Sequence, residues 1–147
     1  MIRRLDHIAS AVPDLDRAIR RFSDDLGLAF EGTQGVPAQS TTTAFFPIGA
    51  AHIELVHPID GKGPIAKYLE KRPGGLHHLC FSTDDIVADV ATLRAKGWEF
   101  LTPEPTPGAH GCRVIFAHPR SCDGVLIELS EPPQSSDDTS DTSGHVS

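Results

Sequence analysis

Apolar residues along the chain follow two periods in turn, and the switch between them occurs twice. Leu5–Val12 is a short apolar run of strand type, and Pro13 and Asp14 after it signal the start of a helix. Leu15, Ala18, Ile19, Phe22 and Leu26 recur at helical spacing until Gly27 stops them. Leu28–Glu31, Thr41–Phe46 and Ala51–His57 then read as strands separated by Gly, Pro and Gln punctuation. The order repeats. Leu76–Thr83 predicts a strand, and the Ser82–Asp85 cluster predicts the cap of a helix. Ile86, Val90 and Leu93 form the inner stripe of that helix, which ends at Gly97. Trp98–Leu101, Arg113–Ala117 and Gly124–Ser130 predict three more strands. Pro64–Lys71 predicts a short helix linking the two β-α-β-β-β modules, ended by Arg72-Pro73-Gly74-Gly75.

One such module cannot cover both faces of its own four-stranded sheet. Two side by side predict an α+β fold: a single curved, eight-stranded mixed sheet with the helices outside and a concave groove inside. A chain of 147 residues suits one domain, here residues 1–131, with module one at 4–58, the linking helix at 64–71 and module two at 75–131. Residues 132–147, rich in Ser, Thr and Asp, predict a disordered acidic tail.

Composition narrows the function. The formal net charge is −7, and the tail holds three aspartates with no Lys or Arg, which leaves −4 for the body. A mildly acidic body without a basic stripe argues against nucleic acid as the main partner. No run of about 18 apolar residues predicts a membrane span, and no charged-then-apolar leader predicts secretion. Three irregularly spaced cysteines, Cys80, Cys112 and Cys122, make no disulfide framework, so a reduced, cytoplasmic location is expected.

The repeat also carries chemistry. His7 and His78 lie 71 residues apart, and Glu54 and Glu128 lie 74 apart, each at a matched place in its module. With a side-chain period of two, all four point to the groove while Ile8, Ile53, Leu55, Leu79, Ile127 and Leu129 point to the helices. A carboxylate on the inner face of an apolar strand is costly unless paired or bound to a cation. Two glutamates and two histidines there predict a site for a borderline-to-hard divalent metal. By the same period His77 turns away and is read as structural. His52 has Leu126 as its repeat partner and is read as a strand-end residue, while His57 and His118, each before a proline, are read as turn residues. His110, in Gly108-Ala109-His110-Gly111, has no packing role to explain it and is a candidate for substrate contact.

The duplication resembles the vicinal oxygen chelate superfamily and, within it, the methylmalonyl-CoA epimerase family. The resemblance rests on Leu5-Asp6-His7-Ile8-Ala9, Ile53-Glu54-Leu55-Val56-His57-Pro58 and Pro64-Ile65-Ala66-Lys67-Tyr68-Leu69. It continues through Gly75-Leu76-His77-His78, Pro107-Gly108-Ala109-His110-Gly111, Val114-Ile115-Phe116-Ala117-His118-Pro119 and Gly124-Val125-Leu126-Ile127-Glu128-Leu129. It implies that His7, Glu54, His78 and Glu128 bind a divalent ion, cobalt in first place, with zinc, nickel or manganese as substitutes. It implies an acyl-CoA substrate, the thioester of methylmalonate, and a homodimer. Some members carry glutamine where Glu54 stands, and some place a catalytic glutamate where this chain has Thr43.

Epimerisation removes the proton from a carbon flanked by a thioester and a carboxylate, and positive charge beside the thioester oxygen stabilises the enolate. Glu128 is the candidate base, and His110 is the candidate to orient the substrate carboxylate or to move the second proton. Lys62, Lys67, Arg113 and Arg120 are candidates to hold the coenzyme. Three rivals share the fold. Glyoxalase I uses the same ligand set, and a ring-cleaving dioxygenase would want ferrous iron in a site with only one carboxylate. A metal-free small-molecule-binding module would leave both inward glutamates unexplained.

Overall fold

The computed structural model describes residues 1–134. The acidic tail expected from residue 132 therefore lies, from 135 onward, outside the described residues. The strands are β1 (Ile2–Ala11), β2 (Thr33–Val36), β3 (Thr41–Ile48), β4 (Ala51–Pro58), β5 (Gly75–Thr83), β6 (Thr106–Pro107), β7 (Arg113–Ala117) and β8 (Ile127–Glu131). The helices are α1 (Leu15–Arg20, continued by a π-type turn over Arg21–Asp25), α2 (Gly63–Lys71) and α3 (Ile86–Ala95).

All eight strands form one mixed sheet in the order β2-β3-β4-β1-β5-β8-β7-β6. The order is symmetric about its centre. β1 runs parallel to β4, β5 runs parallel to β8, and β1 and β5 pair antiparallel where the modules meet. The register repeats too: Phe45 faces Glu54 across β3–β4, and Phe116 faces Glu128 across β7–β8. This is the curved eight-stranded sheet that the patterning predicts.

Alternation decides which face each helix covers. Ala18 of α1, with Leu15, Ile19 and Phe22, packs on Ala44, Phe46, Ile53 and Leu55. Ile86, Val90 and Leu93 of α3 pack on Phe81, Ile115, Ile127 and Leu129. Both helices sit on the convex side. Ile65 of α2 instead packs on Ala9, Ala11 and Val56, which share the face of His7 and Glu54, so α2 closes one end of the groove.

Two expected strands are not formed. Residues 28–31 are irregular: the chain meets β3 through the Glu31 N–H to the Phe45 carbonyl (2.9 Å), but Gly32 adopts φ +99°, and the ladder begins only at Thr33. Residues 98–101 make a single bridge, Phe100 to Ala117, and β7 pairs instead with the two-residue β6. Pro103, Pro105 and Pro107 leave few N–H donors for a longer ladder on that edge. The last strand starts at Ile127, after a turn in which Asp123 and Gly124 both take positive φ.

Candidate metal centre and active site

The four residues chosen from the repeat meet at the middle of the groove, where β1 and β5 pair. His7, Glu54, His78 and Glu128 are 5%, 7%, 8% and 4% exposed, a burial that unpaired charges do not tolerate. Three of their atoms converge. His7 Nε2 and His78 Nε2 are 3.2 Å apart, and Glu128 Oε1 lies 3.1 Å from the first and 3.2 Å from the second. Metal bonds of about 2.0–2.2 Å separate neighbouring donor atoms by about 2.9–3.5 Å, so this triangle has the dimensions of a coordination face. Glu128 Oε1 is sealed from solvent with no hydrogen-bond donor, because both imidazoles approach it outside hydrogen-bonding geometry. A buried oxygen with lone pairs and no proton to receive fits a cation.

Glu54 stands apart from the triangle. Its Oε2 lies 2.8 Å from the other nitrogen of His7, Nδ1, and 2.7 Å from His52 Nε2. His52, read from the sequence as a strand-end residue, is thus part of the site. Period two put it on the face of Glu54, and its Cα pairs with that of His7 across β1–β4, but the repeat criterion discarded it. Asp6, also missed, accepts from His7 Nδ1 at 2.8 Å. These four residues form a second cluster of metal-binding type beside the triangle, and His7, Cys80 and Glu128 form another.

His77 does not turn away as the alternation predicted. Opposite it the β1–β5 ladder skips a residue, with Ala9 facing His78 and Ser10 facing Leu76, so His77 is the extra residue of a bulge. Its Nδ1 lies 2.8 Å from His78 Nδ1, and its ring packs edge-on against Tyr68 of α2. The two modules therefore match in a further respect. In each, the residue before the inward histidine meets that histidine's Nδ1 and leaves Nε2 facing the centre.

The electrostatics follow from burial and neighbours. Burial alone would push the His7 imidazole down, but the hydrogen bond with Asp6, and then the proximity of Cys80, Glu128 and Glu54, hold it well above the ordinary histidine range. Burial alone would raise Glu128, yet the imidazoles of His7 and His78 beside it hold its carboxyl well below the ordinary range. Glu54 is likewise kept low, burial being outweighed by His52 and then His7. Burial, aided by His78, pushes His77 down to about 4, so His77 is neutral and can accept the His78 Nδ1–H.

Two cavities open on this centre. A polar one of about 100 Å³ is lined by Asp6, Thr43, Glu54, His110, Cys112 and Glu128, among others. A larger one of about 310 Å³, mostly apolar, is lined by Val56, Ile65, His77, Leu101, Phe116 and Leu126, among others. His78 and Gln39 border both. His110 reaches the polar cavity from a loop of module two that leans on module one. Its ring packs at a tilt against Phe45 with centroids 4.5 Å apart, and its backbone N–H donates to Gln34 Oε1 at 3.1 Å. Thr43 faces the same cavity with a hydroxyl only. Of the cations proposed for the coenzyme, none lines either cavity. Arg113 is paired with Glu131 and Arg120 with Glu99, while Lys62, just before α2, and Lys67, in its middle, are exposed. His118 lies at a turn, where its Nδ1 accepts from the Arg120 N–H, but His57, expected in a turn, is a residue of β4, with Nδ1 against the Val12 carbonyl.

Residues 6–116 match the profile of the Glyoxalase/Bleomycin resistance protein/Dioxygenase superfamily. The chain is 41% identical over 133 residues to the ethylmalonyl-CoA/methylmalonyl-CoA epimerase of Cereibacter sphaeroides, spanning 89% of this chain and 99% of that protein. It is 40% identical to the mitochondrial methylmalonyl-CoA epimerase of Homo sapiens, over 87% of this chain and 73% of that one. Among solved structures, a variant of Streptomyces coelicolor methylmalonyl-CoA epimerase in complex with 2-nitronate-propionyl-CoA superposes with a TM-score of 0.86. It is 34% identical and covers 91% of this chain and all of that one.

Proposed function

The chain belongs to the glyoxalase/bleomycin resistance protein/dioxygenase superfamily and, within it, to the methylmalonyl-CoA epimerases, and on that premise we propose that it interconverts the two C2 epimers of methylmalonyl-CoA. The observation that carries the reading is the triangle of His7 Nε2, His78 Nε2 and Glu128 Oε1 at the head of a groove large enough for a thioester.

His7, His78 and Glu128 would hold a divalent ion, and Glu54, on leaving His52, would be the fourth donor. When bound, the ion supplies Lewis-acid stabilisation of the enolate oxygen formed at the thioester. Two imidazoles and two carboxylates suit cobalt, with zinc, nickel or manganese as substitutes. Asp6 and His77 orient the two imidazoles by engaging Nδ1, so that each Nε2 lone pair faces inward. Glu128 takes the C2 proton. Its carboxylate is ionised at neutral pH, and burial keeps water from competing for the proton. His110, above the polar cavity on Phe45, delivers or receives the second proton or fixes the substrate carboxylate. The cavity wall has no carboxylate from β3 to share that work, because Thr43 stands there.

Proton NMR of methylmalonyl-CoA in heavy water with the metal-loaded protein tests this. The C2 proton signal is expected to vanish at catalytic rates. Absence of exchange, together with turnover of the methylglyoxal–glutathione adduct, would overturn it in favour of glyoxalase chemistry. Turnover unimpaired in His110→Ala would remove the role given to His110.

A further inference from the structure

Gln39 ends the short turn Pro37–Gln39 between β2 and β3, where the polar and apolar cavities meet. Its Nε2 is closed to solvent and has no hydrogen-bond partner among the described residues. An amide donor left unpaired in a buried place costs stability, and native proteins keep few of them without a use. The backbone that carries it is held on three sides. Ser40 adopts φ 56° and its N–H donates to the Pro37 carbonyl at 3.1 Å, while the Ile59 N–H donates to the Ser40 carbonyl at 2.8 Å. Gly63, at the start of α2, leaves so little room that a Cβ there would come within 2.7 Å of Ser40 Cβ. The turn that carries this side chain is thus fixed by the fold.

Its surroundings select what it can meet. The polar cavity is lined by the carboxylates of Asp6, Glu54 and Glu128, and neither cavity is lined by Lys or Arg. Apart from an ion at the triangle, an anionic group of a ligand placed there meets no cationic side chain other than the histidines, so a neutral N–H donor adds to its recognition. We infer that Gln39 Nε2 donates to the free carboxylate of the acyl group and makes the site selective for malonate-type thioesters over simple acyl thioesters. This rests on the epimerase reading and adds a neutral donor to the recognition of the substrate carboxylate, for which His110 is the other candidate.

The test compares two inhibitors of the metal-loaded protein. Malonyl-CoA carries the carboxylate without a stereocentre, and propionyl-CoA carries the thioester without the carboxylate. Gln39→Leu is expected to raise the inhibition constant of malonyl-CoA roughly 10- to 100-fold, as loss of a hydrogen bond to a charged group does. That of propionyl-CoA is expected to stay within about twofold. Gln39→Glu, which keeps the size and adds a like charge, should lose malonyl-CoA at least as strongly and serves where Gln39→Leu does not fold. Equal losses for both inhibitors would overturn the inference by assigning the donor to the thioester or the coenzyme chain. No loss for either would overturn it outright. A wild-type protein that exchanges no C2 proton defeats the epimerase reading itself, whereas exchange in the wild type with unaltered Gln39→Leu defeats only this inference.

Discussion

His7 is the residue on which the site turns, because its two nitrogens serve two different clusters. Nε2 faces His78 and Glu128, and Nδ1 faces Asp6 and Glu54. The alternation of β1 made the inward direction of His7 legible in the sequence. It could not give the tautomer, which depends on a neighbour that the pattern treats as ordinary. Asp6→Ala is expected to weaken divalent-metal affinity about 10- to 100-fold, with Asp6→Asn closer to wild type because its carbonyl still accepts. Competition against a chromophoric chelator measures this, and unchanged affinity in Asp6→Ala would refute the orienting role. Glu128→Gln removes the anionic oxygen from the triangle. Proton exchange at C2 should fall by about 10²–10⁴-fold, the range for a general base, and metal affinity should fall with it. His52 is legible by period, but Leu126 at the matching place gives it no counterpart in the repeat. The same asymmetry explains why Glu54 is drawn away from the triangle: only module one has an imidazole there to hold its carboxylate.

At the level of elements, period and punctuation located every helix and most strands, and the misreadings have local causes. Leu28–Glu31 is apolar enough for a strand, but the turn at Gly32 delays the ladder. Trp98–Leu101 is similar in composition, but the proline-rich stretch after it permits only a two-residue partner for β7. The seating of α3 shows what periodicity omits. Glu131, the last residue of β8, accepts the Ile86 N–H at 2.8 Å through Oε2 and the Arg113 guanidinium at 2.8 Å through Oε1. Asp85 caps the same helix by accepting from the Ala88 N–H at 3.1 Å. The Ile86 N–H, followed by Arg113, holds the Glu131 carboxyl below the ordinary carboxylate range. A lowered folded-state pKa means that this stabilisation is complete above about pH 4.3, the unfolded value, and is lost as pH falls through the folded one. Glu131→Gln should cost about 1–2 kcal/mol at neutral pH, and the gap to wild type should close in acid. Urea denaturation of both proteins at neutral pH and at about pH 3 checks the sign, and a gap that widens in acid would contradict it.

Across the whole molecule, the triangle is also a tie between halves. His7 comes from module one, and His78 and Glu128 come from module two, so a bound ion joins the two modules at the β1–β5 seam. A ligand that binds only the folded state at about 100 times its dissociation constant stabilises by about 2.7 kcal/mol. For a chain of this size that is a rise of roughly 5–12 °C in the melting temperature. Thermal unfolding with and without cobalt or zinc measures it. The rise should shrink in Glu128→Gln, and a full rise in that variant would exclude Glu128 as a ligand. The repeat of β-α-β-β-β patterning and the matched inward His and Glu were determined by the sequence alone, because strand and helix periods and the cost of burying charge are local properties. The convergence of His7, His78 and Glu128, the bulge that turns His77 inward, the capture of Glu54 by His52 and the orphan amide of Gln39 were decided only by the tertiary structure. Each depends on which strands become neighbours and in what register, and a one-residue skip in a ladder changes the facing of a side chain without leaving a mark in the sequence.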